Sequence, residues 1–282
     1  MGKILDGKKV SQKILASLRK EILVLNGKGI VPGLAIVQVG QNPASNVYVS
    51  KKLETAVGLG FNAFCEKFPA GVSFEEIKAK ILQLNGDKKV SGMIVQLPLP
   101  KQLDEGKVME LIGSRKDVDG FSFVNQGKLF AGEPSFIPAT PKGILALIKS
   151  TGKPVKGKNC VVVGRSNIVG KPVSQLLLAE NGTVTVCHSK TKNIGWFTKN
   201  ADILVVAAGK PRLIKGSMVK KGAIVIDVGT TKVKGKLVGD VDFESAKKRA
   251  SFITPVPGGV GPMTIASLLQ NTVAACRMQN NA

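Results

Sequence analysis

Aromatic side chains are scarce in this chain of 282 residues, which has one tyrosine, one tryptophan and 11 phenylalanines. Nothing resembles the aromatic cluster on which RNA-binding folds stack bases. Histidine is nearly absent too, with His188 alone, and the four cysteines (Cys65, Cys160, Cys187, Cys276) lie far apart without a CxxC pair. That supply does not complete a zinc site, so no metal is expected. The thiols read as buried and reduced, as in a cytosolic protein. Long apolar runs are missing as well: "ADILVVAAG" has the length of a core strand and is too short for a bilayer. The opening "MGKILDGKKVSQ" lacks the apolar stretch of a signal peptide, and Asp6 breaks the myristoylation pattern. A cytoplasmic location with no membrane partner is expected.

Acidic residues are few, 19 against 41 Lys and Arg, and the net charge is +22. The lysines are scattered through every segment and form no arm or stripe, so nucleic acid is not the expected partner. A generally basic surface would instead draw in small polyanionic ligands. Hydrophobic residues make up 43% and no window is of low complexity, which predicts a folded chain. The length suits two modest domains.

Strand-like and helix-like segments alternate throughout, which predicts the α/β class. "LAIVQVG" (34–40) reads as a buried strand. Asn42-Pro43 then opens a helix, with Asn as N-cap, that runs to about Gly58–Gly60. "FNAFCEKF" (61–68) is a second strand. Ser73 and Glu76 form a capping box for a helix ending at Asn85-Gly86. "GMIVQ" (92–96) is a third strand, stopped by Pro98 and Pro100. This β-α-β-α-β series predicts a parallel sheet. After a loop at "SRKDVDGFSF", Thr140-Pro141 starts another helix. A second strand series follows: 158–164, 183–189, 201–209 and 222–229. From Pro262 the apolar spacing is helical.

"VVVGRSNIVGKP" places Gly164, Ser166 and Gly170 between an apolar strand and a helix. The layout is that of a dinucleotide fingerprint with its middle glycine replaced by Ser166: a tight turn aims backbone N–H groups at a pyrophosphate. An NAD site usually has an acid at the end of the next strand, to hold the ribose hydroxyl. Here that strand ends Cys187-His188-Ser189-Lys190, and Arg165 sits in the first loop. Cations and a hydroxyl suit a 2′-phosphate, so NADP is the expected cofactor. His188 reads as packing or cofactor contact rather than as a catalytic base.

The single tyrosine, Tyr48, lies in "NVYVSKK", four residues before Lys52. On a helix the two share a face, joined by Ser45. Short-chain dehydrogenases use a Tyr-x-x-x-Lys pair, but theirs follows the nucleotide loop, and this one precedes it by more than a hundred residues. A lysine in a partly buried site can act as acid or base once its pKa falls, and a tyrosine offers a face for an aromatic ligand. The pattern alone does not choose between Lys51 and Lys52.

Taken in order, "QNPASNVYVSKK", "GMIVQLPLP", "KDVDGF", "PATPKGI", "GRSNIVGKP", "VTVCHSKT", "AAGKP", "DVG", "VGDVDF" and "TPVPGGVGPMT" resemble the bifunctional methylenetetrahydrofolate dehydrogenase/cyclohydrolase family over nearly the whole chain. The resemblance implies an N-terminal α/β domain with a parallel sheet (1–139), a Rossmann-type NADP domain (140–261) and a C-terminal helix packing back on the first domain (262–282). It implies a cleft between the domains, a reduced folate substrate and a homodimer. The implied reactions are oxidation of 5,10-methylenetetrahydrofolate and hydrolysis of the methenyl product to 10-formyltetrahydrofolate.

By the same resemblance, Lys52 is the catalytic lysine, Tyr48 stacks on the aminobenzoate ring, Gln96 hydrogen-bonds the lysine and Asp119 holds the pterin. Substrate contacts are implied at Tyr48, Val49, Ser50, Lys51, Lys52, Val95, Gln96, Leu97 and Asp119. They continue at Pro257, Gly258, Gly259, Val260 and Gly261, where small residues would let the backbone approach the folate. Cofactor contacts are implied at Thr140, Gly164, Arg165, Ser166, Ser189 and Thr230. The chain departs from the family pattern at Ser122-Phe123 (often His-Pro), Ala139 (Cys) and Thr230-Thr231 (Ile-Asn). Two rival readings are a shikimate-type NADP-linked dehydrogenase and a non-enzymatic nucleic-acid binder.

Overall fold

The computed structural model describes residues 2–281. In chain order the elements are β1 (Lys3–Ile4), α1 (Gly7–Gly27), β2 (Gly33–Val39), α2 (Pro43–Gly58), β3 (Asn62–Phe68), α3 (Phe74–Gly86), β4 (Gly92–Val95), α4 (Glu105–Glu110), α5 (Phe123–Ala131), α6 (Ala139–Ser150), β5 (Asn159–Val163), α7 (Gly170–Ala179), β6 (Thr183–Cys187), α8 (Ile194–Lys199), β7 (Ile203–Val206), β8 (Ile224–Asp227), β9 (Thr231–Val233), β10 (Lys236–Val238), α9 (Phe243–Lys247), β11 (Phe252–Ile253) and α10 (Val260–Asn280).

The chain divides into two compact units. One joins Ile14–Ala139 to the chain end from Ser267. The other joins the chain start, as far as Lys13, to Thr140–Ala266. The first residues were expected in the folate domain, but they group with the nucleotide unit. The cause is local: β1 adds a parallel strand beside β11, with Lys3 opposite Phe252 and Ile4 opposite Ile253. The C-terminal helix, expected from Pro262, begins at Val260, and the division between units falls inside it.

In the unit built on Ile14–Ala139, three parallel strands run in the order β3-β2-β4. All seven residues of β2 and all four of β4 are buried, as strands covered on both faces require. Ala35, Val37, Met93 and Val95 pack with Ile77, Ile81 and Leu84 of α3 into one core. Fully burying each such large aliphatic side chain is worth roughly 1.5–3 kcal/mol. The N-cap at Asn42 and the capping box of Ser73 and Glu76 form as the sequence predicts. The chain leaves β2 towards β3 on one side and returns to β4 on the other. The crevice at the carboxyl ends of β2 and β4 is therefore a topological switch point, where open α/β sheets bind ligands.

In the nucleotide unit six strands run β1-β11-β8-β7-β5-β6, and all the pairings are parallel. Val161, Val163, Leu204, Val206 and Val225 anchor its core. Here the order reverses at β5, and the switch point lies between the ends of β5 and β7. The antiparallel pair β9–β10 stands apart from this sheet. Among the described residues, no helix is long and apolar enough to cross a membrane. Cys160, Cys187 and Cys276 are free and buried as expected, whereas Cys65, on the edge strand β3, is only half-buried.

Candidate active site

Helix α2 presents Ser45, Val49, Lys52 and Ala56 on its buried face, a spacing of four, three and four residues. The geometry therefore chooses between the two lysines: Lys51 is exposed, while Lys52 is 7% exposed. The switch point supplies its partner. The N–H of Gln96 donates to Val37 O at 2.8 Å, which continues the β2–β4 ladder one residue past the strand. The Gln96 side chain then accepts from Lys52 Nζ through Oε1 at 3.1 Å and donates through Nε2 to Leu97 O at 2.7 Å. With its N–H committed to Leu97, the amide can only turn an oxygen towards the amine. Tyr48 is half-buried on the same helix, and Val95 is buried beside the site.

Asp119 completes the group by charge. Burial pulls the Lys52 ammonium below its ordinary pKa, and the Asp119 carboxylate partly restores it. Asp119 is itself raised, first by burial and then by Asp117, with Lys52 opposing. The two aspartates of "DVDG" divide the work. Asp117, 1% exposed, accepts from Phe121 N at 3.1 Å, Ser122 N at 2.8 Å and Asn125 Nδ2 at 2.9 Å, and so holds the turn. Asp119 is half-buried and accepts no hydrogen bond among the described residues. The site thus combines an amine biased towards its neutral form with an uncommitted carboxylate.

In the nucleotide unit the candidate groups are largely backbone. Gly164 sits at φ +131°, and a Cβ there would overlap Ala207 O across the switch point. A Cβ on Gly170 would overlap Gly164 O. Ser166 Oγ stands where the fingerprint has a glycine and accepts from Val169 N at 3.2 Å and Gly170 N at 3.3 Å, tightening the turn into α7. Arg165, Ser166, Ser189 and Thr230 are exposed. His188 Nδ1 accepts from Lys190 N at 3.2 Å, which fixes the ring in the turn after β6. A bare turn over a helix start, with Arg165 and Ser189 beside it and no acid at the end of β6, fits a dinucleotide with a phosphorylated ribose. Thr140 Oγ1 lies 2.9 Å from Thr264 Oγ1 at the start of α6.

The loop 257–261 lies in the same unit. Its glycines have internal causes: Gly258 is at φ +104°, and a Cβ on Gly259 would come within 2.6 Å of Pro255 O and 2.7 Å of Thr254 Cβ. Gly7, at the start of α1, is pressed on Gly259 O so closely that any side chain would overlap it. Packing within the unit requires Gly7 and Gly259 on its own account. Pro257, Val260 and Gly261 differ in exposure, from exposed through buried to half-buried.

Comparison with known proteins agrees with this geometry. Residues 138–280 match the family model for the tetrahydrofolate dehydrogenase/cyclohydrolase NAD(P)-binding domain, and residues 5–119 match that for its catalytic domain. The chain belongs to the tetrahydrofolate dehydrogenase/cyclohydrolase family. It is 55% identical to the bifunctional protein FolD of Acetivibrio thermocellus over 278 residues, covering 98% of each chain. The crystal structure of a bifunctional FolD from Campylobacter jejuni superposes with a TM-score of 0.97 at 44% identity, covering both chains completely. A Trypanosoma brucei dehydrogenase-cyclohydrolase, complexed with NADP cofactor and inhibitor, superposes at 0.96 with 39% identity, covering 100% of this chain and 99% of its own. A shikimate dehydrogenase of Aquifex aeolicus shares the fold alone, at 16% identity and a TM-score of 0.53 over 89% of this chain and 93% of its own. The rival readings as a shikimate-type dehydrogenase or a non-enzymatic protein give way to the family assignment.

Membership makes the chain a dehydrogenase/cyclohydrolase, and within it some residues carry more than their motifs announced. Ser122, a departure from the family pattern, is 3% exposed and caps α5 by accepting from Asn125 N at 3.4 Å. Ala139, another departure, is buried at the start of α6. Lys142, one turn into α6, is pulled down to about 8 by burial. Asp227 and Asp240 are both buried at the ends of strands or turns near the nucleotide loop. "TPKGI", "DVG" and "VGDVDF" contain these residues, but no spacing rule marks a lysine or aspartate there as buried.

Proposed function

We propose that this enzyme oxidises 5,10-methylenetetrahydrofolate with NADP and hydrolyses the resulting methenyl cation to 10-formyltetrahydrofolate, with Lys52 as the proton-handling group. One observation carries the assignment of roles: a buried lysine, biased towards the neutral amine, held by Gln96 beside an uncommitted Asp119 at a switch point.

In the first reaction the methylene carbon gives up a hydride, and the lone pairs of its two nitrogens stabilise the cation left behind. The nicotinamide, when bound, would supply the hydride acceptor. Positioning supplies most of the catalysis, because no proton has to move in this step. Asp119 accepts the paired N–H donors of the pterin, and Tyr48 stacks on the aminobenzoate ring, with Val49, Ser50, Lys51, Val95 and Leu97 around it. Gly164, Ser166 and the start of α7 would receive the pyrophosphate, and Arg165 with Ser189 the 2′-phosphate. Thr140 and Thr230 complete this cofactor set, and residues 257–261 supply backbone to the folate.

In the second reaction water attacks the methenyl carbon. A neutral Lys52 takes one proton from that water, giving a hydroxyl adduct; the hydroxyl proton is then lost as the ring nitrogen gains one and its C–N bond opens, leaving the formyl group on the other nitrogen and one net proton released to solvent. Gln96 keeps the amine aimed without giving it a charge. The cationic substrate adds to the depression of the lysine pKa. Family resemblance supports a homodimer and a cytoplasmic location. Mixing the enzyme with methylenetetrahydrofolate and NADP should give NADPH absorbance, followed by decay of the methenyl product. Absence of NADPH formation with this substrate would overturn the assignment.

A further inference from the structure

Beyond the nucleotide turn itself, the unit contains a knot of two buried carboxylates. Asp227 ends β8 and is 3% exposed; Asp240 follows the β9–β10 hairpin and is fully buried. Asp227 Oδ1 accepts from Gly229 N at 3.0 Å and Asp240 N at 2.9 Å, and Oδ2 accepts from Val241 N at 2.9 Å. Asp240 Oδ2 accepts from Ala208 N at 2.7 Å and Gly209 N at 2.8 Å. Its Oδ1 is buried with no hydrogen-bond partner among the described residues. The packing is tight enough that a Cβ on Gly229 would overlap Asp240, and one on Gly239 would overlap Asp227.

A buried carboxylate with one oxygen unpaired is costly for stability, although the N–H groups of Gly209, Ala208 and Lys210 all favour its charged form. What the other oxygen holds explains its place. Ala208 and Gly209 are the first residues past the Ala207 carbonyl that backs Gly164 across the switch point, and Gly209 turns there at φ +64°. Thr230 follows Gly229 directly on the far side of the knot.

We propose that Asp240 is a positioning residue for the dinucleotide: through Ala208 and Gly209 it sets the backbone wall against which the Gly164 turn closes, and through Asp227 it anchors the segment leading to Thr230. Asp240 touches neither reacting atom and acts through these backbone groups. The proposal rests on NADP binding at the Gly164 turn, as read above.

The test uses the full-length enzyme and two readouts. One is the NADP dissociation constant by calorimetric titration. The other is hydrolysis of the methenyl substrate without any cofactor, which depends on Lys52 and not on the Gly164 turn. Asp240→Ala should weaken NADP binding about tenfold or more while leaving cofactor-free hydrolysis within about twofold. Asp240→Asn, which can still turn an oxygen to Ala208 and Gly209, should recover most of the affinity. Asp240→Ser, too short to reach both N–H groups, serves if the alanine variant does not fold and should weaken NADP equally. Unchanged NADP binding in the alanine or serine variant overturns the proposal. So does a matching loss of hydrolysis, which would mean general destabilisation, or an asparagine variant as weak as alanine. Gly164→Val separates the two levels. If it abolishes NADP binding while Asp240→Ala does not, the positioning role alone fails. If it leaves NADP binding intact, the nucleotide-site reading fails and the positioning role with it.

Discussion

At the ends of β2 and β4 the groups proposed to act are side chains: Lys52, Gln96 and Asp119, two of them with shifted pKa values. At the ends of β5 and β7 they are backbone, and what matters is the side chain that is missing at Gly164 and Gly170. Both places are switch points of parallel sheets, so the folds supply the same kind of crevice. The contrast follows from the task. Hydrolysis needs a group that changes protonation, and burial is what moves a lysine towards doing so near neutral pH. A pyrophosphate needs several fixed donors at close range, which backbone N–H groups provide without conformational cost at the moment of binding.

The sharpest way to break the comparison is to damage each site in its own currency. Lys52→Met should lower cyclohydrolase turnover by roughly a thousandfold or more, while a measurable fraction of NADP reduction survives. Gly164→Val should do the reverse: dehydrogenase activity lost, and hydrolysis of supplied methenyl substrate retained. Rates for the two reactions, measured separately on both variants, decide the matter. A lysine variant with near wild-type hydrolysis would remove Lys52 from the mechanism.

The same contrast governs what could be read from the sequence. The nucleotide turn was legible because its chemistry is written in glycines at fixed offsets after an apolar strand, and strand, turn and helix all stand where those offsets put them. Apolar runs likewise marked β2 to β8, and Asn42 and Ser73 marked two helix starts. The lysine site was legible only by resemblance, because Lys52 and Lys51 are equivalent until helix phase and burial are known. Asp117 and Asp119 are alike for the same reason: a two-residue difference in a turn decides which carboxylate is consumed by backbone donors. Strands of two residues, β1 and β11, carry too little pattern to be seen, and β1 is what draws the chain start into the nucleotide unit. Helix α1 is a different case. Its signal was present, with Leu18, Ile22 and Leu25 at helical spacing and buried, but no chemistry directed attention there.

A finer probe separates Asp119's charge from its role in binding. Its carboxylate raises the Lys52 pKa against the larger effect of burial. Asp119→Asn removes that attraction, so the amine loses its proton at lower pH. The rising limb of cyclohydrolase kcat against pH should then move to lower pH, while the KM for folate rises. A limb that stays in place would mean that Lys52 is not the group titrating in it.

On the nucleotide side the corresponding charge is exposed and its effect smaller. Arg165→Ala should raise the KM for NADP about tenfold and leave that for NAD nearly unchanged, since only one of the two carries the 2′-phosphate. Equal changes in both would remove Arg165 from phosphate recognition and leave Ser189 and Lys190 as the remaining candidates.

The smallest effect lies in stability, and its sign follows from linkage. Lys52 has a folded pKa below its unfolded value of 10.5. Between those two values the unfolded chain holds the proton and the folded one does not, so stability rises with pH across that window. Below the folded pKa both states are charged, the slope vanishes, and the full desolvation penalty is present. Lys52→Met removes the penalty, so the variant should melt higher than wild type at pH 7, and the gap should narrow as pH climbs towards 10.5. Each recovered kcal/mol would raise the melting temperature of the Ile14–Ala139 unit by roughly 2–4 °C. Lys142, depressed to about 8, and Lys116, lowered by burial, titrate in the same range in both proteins. The difference between variant and wild type is therefore the quantity to follow, rather than either curve alone. A gap that stays constant with pH would mean that the lysine is not held at a cost, and the side-chain site would lose the feature that sets it apart from the backbone one.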